Sequence, residues 1–413
     1  MKGSHPVITI LGSNSGNNLG DAAILSSMLE SLSREIPGAE FLVPTTKPSF
    51  IETHYAHRYN VKAINIMPWT GSIRFLGIPT FWALMRSDCA LICDGIIFGK
   101  KLLNPAFNFL IVLAFVVPFA RLVGCMPVCY SCGIGPFHSW LSRVLARWTI
   151  QLCDLIMMRE NDSKRLCETL GVTKPVYLTG DAAFVNPVSD DARAREILAK
   201  EGIDPQIPIL GINVTSYLDG WLASNERVSD RTNFITTVAE GVREATRAMQ
   251  GPCQVVAFST HPMDLEAVEH LASLTNGKVI HNRDYLSHDI QAVMRHCQLF
   301  VGMRFHSLIL ASAVGAPIVA LVYAPKVKGF MRLLQCEDLS MELNKIDVAS
   351  LAQTIADAWS RRAEIKSRQQ AVIDGIKAGA RKANRMIIER YYPHLLKSQE
   401  VEAPSMTATR MAS

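Results

Sequence analysis

The stretch from residue 298 to residue 323 constrains the fold more than any other. Gln298–Gly302 is a short apolar run that reads as a buried strand, and Ser307–Val314 is apolar and free of helix breakers. Gly315 closes that helix, because glycine readily takes the left-handed conformation just past a C-cap. Pro317 then leads into a second buried run, Ile318–Tyr323. Strand, helix and strand in so short a span predict a β-α-β unit with parallel strands. Met303-Arg304-Phe305-His306 forms the corner between the first strand and the helix. In open α/β sheets, ligands gather beyond the carboxyl ends of strands, and the unpaired N–H groups of a helix N-terminus attract anions. Arg304 adds a planar, permanent cation suited to phosphate or carboxylate. His306 adds a proton donor or acceptor that works near neutral pH. Lys326 and Lys328 bring further positive charge to the same sheet edge. Taken alone, Arg-x-His reads equally as a surface ion pair followed by a helix cap.

The same alternation recurs along the chain. Val7–Leu11 reads as a strand, Gly12–Gly20 as a Gly/Asn loop, and Asp21–Glu35 as a helix with Leu25, Met28, Leu29 and Leu32 on one face. The loop is not G-x-G-x-x-G, so it does not identify a dinucleotide site. Asp21 suits the first turn of a helix on electrostatic grounds alone. Further strands are expected at Ala39–Val43, Cys89–Cys93, Met126–Gly133, Leu155–Met158 and Val176–Leu178, with helices at Phe109–Ala120 and Trp140–Cys153. Pro187 to Pro208 reads as a junction around a helix, Asp191–Glu201. Beyond it, strands at Ile209–Val214, Gln254–Phe258, Lys278–His281, Leu299–Gly302 and Ile318–Val322 alternate with helices, which predicts a second, mostly parallel sheet. His261 and Asp264 follow one of these strands directly. The expected division is a Rossmann-like domain over 1–190, a second over 205–345, helices over 346–395 and a disordered tail over 396–413. The fold class is α/β, with the two domains facing each other across a cleft.

Composition narrows the class. The chain has 413 residues, 49% hydrophobic and 19% charged, which suits two globular cores. Its first residues lack the apolar core of a signal peptide. Phe109–Ala120 is the longest apolar run and falls short of the ~20 residues that span a bilayer. It reads as a buried helix, with a membrane-dipping segment as the alternative. Ten scattered cysteines suit a reduced, cytoplasmic protein. Cys125, Cys129 and Cys132 have cluster-like spacing, but on a strand Cys129 would point away from Cys132, so they read as buried small hydrophobes. His261, His281 and His288 lack metal-ligand spacing, and no metal is expected. The net charge of +5 is uneven: residues 361–390 hold nine Lys/Arg and three Asp/Glu, leaving about −1 for the rest. That stretch suits either an anionic membrane surface, at the inner face of the membrane, or a solvated helical face. Nucleic acid is disfavoured, since no aromatic platform accompanies the charge.

Several of these segments resemble the polysaccharide pyruvyl transferase family. The resemblance rests most on Arg304-Phe305-His306-Ser307, Gly315-Ala316-Pro317 and the loop Pro325-Lys326-Val327-Lys328-Gly329-Phe330, in that order. Weaker matches are Asn18-Leu19-Gly20-Asp21-Ala22-Ala23-Ile24, the Gly133-Ile134-Gly135-Pro136 loop, the corner Arg159-Glu160 with Ser163, and Gly180-Asp181-Ala182-Ala183-Phe184. Ala324 stands where the family often has Asp, and Asp94–Gly99 departs from a Gly-rich turn. The resemblance implies a GT-B-like architecture and transfer of a pyruvyl group from phosphoenolpyruvate to a sugar diol on a saccharide or lipid-linked saccharide, giving a ketal in exopolysaccharide biosynthesis. It implies Arg304, Phe305, His306, Ser307, Arg159 and Lys326 on the donor side. Asn18, Gly20, Asp21, His138 and Asp181 fall on the acceptor side, and His306, Arg304 and Asp21 are the catalytic candidates. No cofactor is needed beyond the phosphoenolpyruvate substrate. The alternatives are a nucleotide-sugar glycosyltransferase and a non-catalytic relative. The absence of Glu between Val301 and Leu334 speaks against the former, because many such enzymes use paired Glu residues near the donor ribose.

Overall fold

The computed structural model describes residues 5–66, 78–104, 108–215 and 231–396, so the tail segment Glu400–Ser413 lies outside the described residues. The chain divides into two compact units. One comprises residues 1–12, 28–179 and 379–413, and the other residues 13–27 and 180–378. The division is discontinuous, unlike the linear one expected from sequence. Residues 13–27 and 180–190 belong to the second unit, and the end of the chain returns to the first.

The first unit holds strands β1 (Val7–Leu11), β2 (Glu40–Thr45), β3 (Val61–Asn65), β4 (Cys89–Ile92), β5 (Met126–Cys132), β6 (Leu155–Met158) and β7 (Val176–Leu178). Their order is β3-β2-β1-β4-β5-β6-β7, and every pair is parallel. β1 and β4 are buried along their whole length, as continuous apolar strands covered on both faces must be. The helices met on the way are α1 (Leu19–Glu35), α2 (Pro48–His54), α3 (Ile78–Arg86), α4 (Leu110–Leu122), α5 (Trp140–Leu152) and α6 (Asn161–Thr169).

α4 is the apolar run expected as a buried helix. Its inner side, Leu110, Val112, Leu113, Val116, Val117 and Ala120, enters the core. Pro118 inside it has no N–H, so the Ala114 carbonyl one turn earlier loses its usual donor. The Trp148 indole N–H of α5 donates to that carbonyl at 3.3 Å. Among the described residues no helix is long and apolar enough to cross a membrane.

One geometric expectation fails in β5. Ser131 adopts φ +50° and the register shifts between Cys129 and Cys132. This bulge re-aims the strand, so Cys129 and Cys132 enter the same core cluster instead of opposite faces. The reading of both as buried small hydrophobes stands. Hydrogen bonding to the Cys132 and Cys153 thiols, together with burial, pushes the Cys129 thiol well above its ordinary pKa.

The second unit holds β8 (Ile209–Asn213), β9 (Gln254–Ser259), β10 (Lys278–His281), β11 (Cys297–Gly302), β12 (Ile318–Val322) and β13 (Ser340–Glu342), all parallel in the order β10-β9-β8-β11-β12-β13. Its helices are α7 (Asp191–Lys200), α8 (Arg231–Ala248), α9 (Leu265–Thr275), α10 (Ser287–Met294), α11 (Phe305–Ala313), α12 (Pro325–Leu333), α13 (Val348–Ser360) and α14 (Arg362–Tyr391). Gly315 takes φ +84° after α11, as its place past the helix demands. Pro325–Phe330, expected as a loop, instead opens α12. Proline at the first helical position is preorganised for a helix and needs no N–H there.

α14 begins in the second unit and ends in the first. It buries Ile365, Ile373, Ala380, Ala383, Ile387 and Ile388. Several cations of the basic stretch are engaged in ion pairs: Arg361 with Glu364, Arg368 with Asp338, Arg385 with Glu389, and Arg390 with Asp154. The stretch is a packed helix that carries both core residues and paired charge.

Candidate active site

In the second sheet, the order reverses between β8 and β11, where the chain leaves in opposite directions. Such a switch point opens a crevice beyond the strand ends. Asn213 is the last residue of β8, and Met303-Arg304 follows β11. Asn213 is wholly buried and ties this corner together. Its backbone carbonyl accepts from Met303 N at 3.0 Å, its Oδ1 accepts from Arg304 N at 2.9 Å and Ser307 Oγ at 3.0 Å, and its Nδ2 donates to the Phe258 carbonyl at 2.8 Å. Three strand ends are thereby locked by one amide.

The Arg304 guanidinium is held in a fork. Its Nη2 donates to Asp264 Oδ1 at 2.9 Å and its Nε donates to Oδ2. Asp264 is fully buried and also accepts from Thr215 Oγ1 at 2.6 Å. Burial opposes the charge on Arg304, but hydrogen bonding and attraction to Asp264, with smaller help from Tyr323 and Asp21, raise its pKa above the ordinary arginine value. The group is therefore a fixed cation with two of its donor positions already committed. Asp264 was noticed in the sequence only as a polar residue past a strand. Asn213 and Thr215 gave no signal beyond polarity at the end of an apolar strand.

His306 stands in the first turn of α11. Its ring lies against Gly20 in the first turn of α1. A Cβ on Gly20 would come within 2.1 Å of the His306 ring, so no larger residue fits there without displacing it. The other residues of that motif fasten the loop. Asn18 Oδ1 accepts from Gly20 N at 3.0 Å, Leu19 N donates to the Thr260 carbonyl at 2.9 Å, and Asn282 Nδ2 donates to the Asn17 carbonyl at 2.8 Å. The helix thus starts at Leu19, so Gly20, expected to end the loop, lies with Asp21 in its first turn. Asp181 Oδ2 lies 3.7 Å from His306 Nε2, while its Oδ1 accepts from Ala183 N at 2.9 Å. Nε2 of His306 is buried and has no hydrogen-bond partner among the described residues. The two side chains form an ion pair only when the imidazole is protonated.

The remaining candidates have different surroundings. Ser307 is fully buried, with its hydroxyl bonded to Asn213 Oδ1 and the Arg304 carbonyl, so it braces the corner. Phe305 is buried in an aromatic cluster 5.4 Å from His306 and 5.8 Å from Phe330. Lys326 Nζ lies 5.3 Å from the Phe305 ring and 6.0 Å from that of Tyr323, within cation–π range. Ala324 is the N-cap of α12 and supplies no side-chain cap. His261 Nδ1 accepts from Met263 N and caps the turn before α9.

Arg159 and His138 belong to the first unit. The Arg159 guanidinium lies against Gly133, and its Nε donates to Glu160 Oε2 at 2.7 Å. Ser163 Oγ donates to Glu160 Oε1 and accepts from Ile134 N at 3.0 Å. The R-E-x-x-S corner and the G-x-G-P loop are therefore one network. His138 is exposed, just beyond a cis Gly135–Pro136 bond. Asp94, in the altered Gly-rich turn, takes φ +67°, a conformation ordinarily left to glycine and tolerated by Asp.

A model of the family described as polysaccharide pyruvyl transferase matches residues 18–325. The amylovoran biosynthesis protein AmsJ of Erwinia amylovora is 21% identical over 409 residues, covering 89% of this chain and 95% of that protein. Among solved structures, UDP-GlcNAc 2-epimerase from Neisseria meningitidis bound to UDP-GlcNAc is similar at TM-score 0.58 and 14% identity, covering 95% of this chain and all of that one (100%). A glycosyltransferase from Rickettsia africae ESF-5 is similar at TM-score 0.56 and 11% identity, covering 96% and 100%. These likenesses bear on fold alone, and the fold is the GT-B-like pair of Rossmann-type parallel sheets expected from the sequence.

Proposed function

This chain belongs to the polysaccharide pyruvyl transferase family, and from that premise we propose that it transfers a pyruvyl group from phosphoenolpyruvate to a sugar diol. The products are a cyclic pyruvate ketal and inorganic phosphate. The observation that carries this reading is the corner where a partly buried, Asp264-anchored Arg304 stands two residues from a His306 whose Nε2 has no hydrogen-bond partner among the described residues.

The donor carries a phosphate and a carboxylate. Arg304 keeps Nη1 outside its fork with Asp264, and this face, the N-terminus of α11 and Lys326 together offer positive potential to both groups. In the first step, protonated His306 gives a proton from Nε2 to the methylene carbon, which becomes a methyl group. A sugar hydroxyl attacks C2 as positive charge develops there, and Asp21 accepts its proton. Phosphate then leaves with the electron pair of the C2–O bond. The second hydroxyl closes the ketal and returns a proton to His306. The proton held by Asp21 departs with the phosphate, so the balance closes and both His306 and Asp21 are reset. Asp181 faces the nitrogen that loses and regains the proton, so it orients the ring and balances the positive charge on it.

The test is thermal melting with phosphoenolpyruvate, inorganic phosphate and UDP- or GDP-sugars, followed by phosphate release with saccharide acceptors. A ligand that binds only the folded state raises the melting temperature. A rise with phosphoenolpyruvate that disappears in Arg304→Ala supports the donor. Stabilisation by a nucleotide sugar alone, or unchanged turnover in both Arg304→Ala and His306→Ala, overturns the reading.

A further inference from the structure

We propose that the outward side of α4 and α5, in the first unit, is a docking surface for an anionic lipid bilayer. The proposal does not depend on the reaction assigned above. α4 reads LIVLAFVVPFARL: its only charge is Arg121, and nothing on its outer side is polar before that residue. Phe115 is 64% exposed and Leu122 84%. On the neighbouring α5, Trp140 is 77% exposed and Trp148 51%, and the indole bond from Trp148 to Ala114 joins the two outer faces. Water-exposed apolar groups this large on adjacent helices are unfavourable unless something covers them.

The charges say what covers them. Arg121, Arg143 and Arg147 are exposed on these two helices, and neither helix contains an Asp or Glu. A partner protein would ordinarily be specified by paired polar groups, which the outer side of α4 lacks. A second copy meeting this face across a two-fold axis would set arginine against arginine. A bilayer with acidic headgroups matches the whole pattern. Tryptophan and arginine settle at the interface, the apolar side chains enter the acyl boundary, and the guanidinium groups reach the headgroups. α4 has 13 residues, too few to span, so it would lie in the plane of the surface. The basic stretch of α14, whose sequence also suits an anionic surface, has several of its cations in ion pairs and its apolar residues in the core.

Flotation of the full chain with vesicles of phosphatidylcholine, alone or mixed with phosphatidylglycerol, tests this. The expected result is flotation with the mixed vesicles and a blue shift of tryptophan emission. Arg143→Gln with Arg147→Gln should weaken partitioning by roughly thirtyfold, and added salt should weaken it further. Phe115→Ser, Leu122→Ser and Trp140→Ser together should abolish it while the melting temperature stays near that of the parent. Arg381→Gln with Lys382→Gln, on α14, should leave it intact. The proposal falls if neither vesicle binds, or if the α4/α5 variants float like the parent. It also falls if the α14 variant alone loses binding, or if the exposed face proves by sedimentation to hold two copies together without vesicle binding.

Discussion

At the scale of single residues, the site depends on two close fits. Gly20 leaves space for the His306 ring, so Gly20→Ala should push that ring from its place. The expected outcome is loss of at least tenfold in kcat for phosphate release, about 1.4 kcal/mol of barrier, with a melting temperature close to the parent's. An unchanged rate would show that the ring position is unimportant. Arg304 is fitted by charge. Asp264→Ala would leave this partly buried cation without its counter-ion, a loss that reaches at most about 3–5 kcal/mol for a fully buried pair. Urea unfolding should read that loss, and Asp264→Asn should recover part of it. The Arg304–His306 corner was legible in the sequence because both residues sit in one short motif. Asp264 was not, because nothing local says which cation a carboxylate past β9 will meet.

At the scale of elements, α4 and α5 share an exchange of hydrogen bonds. Pro118 deprives the Ala114 carbonyl of a donor and Trp148 supplies one. Trp148→Phe should therefore destabilise the protein by about 1 kcal/mol. In a Pro118→Ala background the helix regains its own N–H, and the same change should cost measurably less. A double-mutant cycle by chemical denaturation checks this, and additive costs would sink it. Most helices and central strands were readable because apolar periodicity is local. The misreadings have local causes too. The bulge at Ser131 reverses the side of Cys132, and the proline that looked like a loop marker at Pro325 is a helix start. The edge strands β3 and β13 escaped notice because each is only partly buried and lacks a continuous apolar run.

At the scale of the whole molecule, the end of α14 is fastened to the first unit by Asp154, which accepts from Arg390 Nε at 3.0 Å and Tyr391 Oη at 2.8 Å. Burial works to raise the Asp154 pKa, but these hydrogen bonds and the nearby positive charge lower it below the ordinary aspartate value. A depressed carboxylate pKa stabilises the fold above the unfolded pKa, and that contribution fades as pH falls through the folded value. Asp154→Asn should thus lower the melting temperature near neutrality, by at most about 1 kcal/mol in stability for so exposed a pair. The difference from the parent should vanish in strong acid. A constant difference down to the lowest pH would contradict the assignment. Hydrogen exchange tests the site at the same scale. Phosphoenolpyruvate should slow exchange around Leu19–Ala23 and Phe305–Leu308, two segments of the second unit that are distant in sequence. Protection of only one would argue against a shared site.

The amino-acid order alone determined the alternation of strands and helices, the two parallel sheets and the short motifs at their corners. These follow from periodicity, breakers and caps, which act over a few residues. Tertiary structure decided what those motifs mean. It committed Arg304 to an aspartate 40 residues earlier, turned Ser307 inward, set Gly20 beneath His306, and moved residues 13–27 into the unit that holds them. Such pairings depend on strand order and on which chain segments cross, and local preferences carry no information about either.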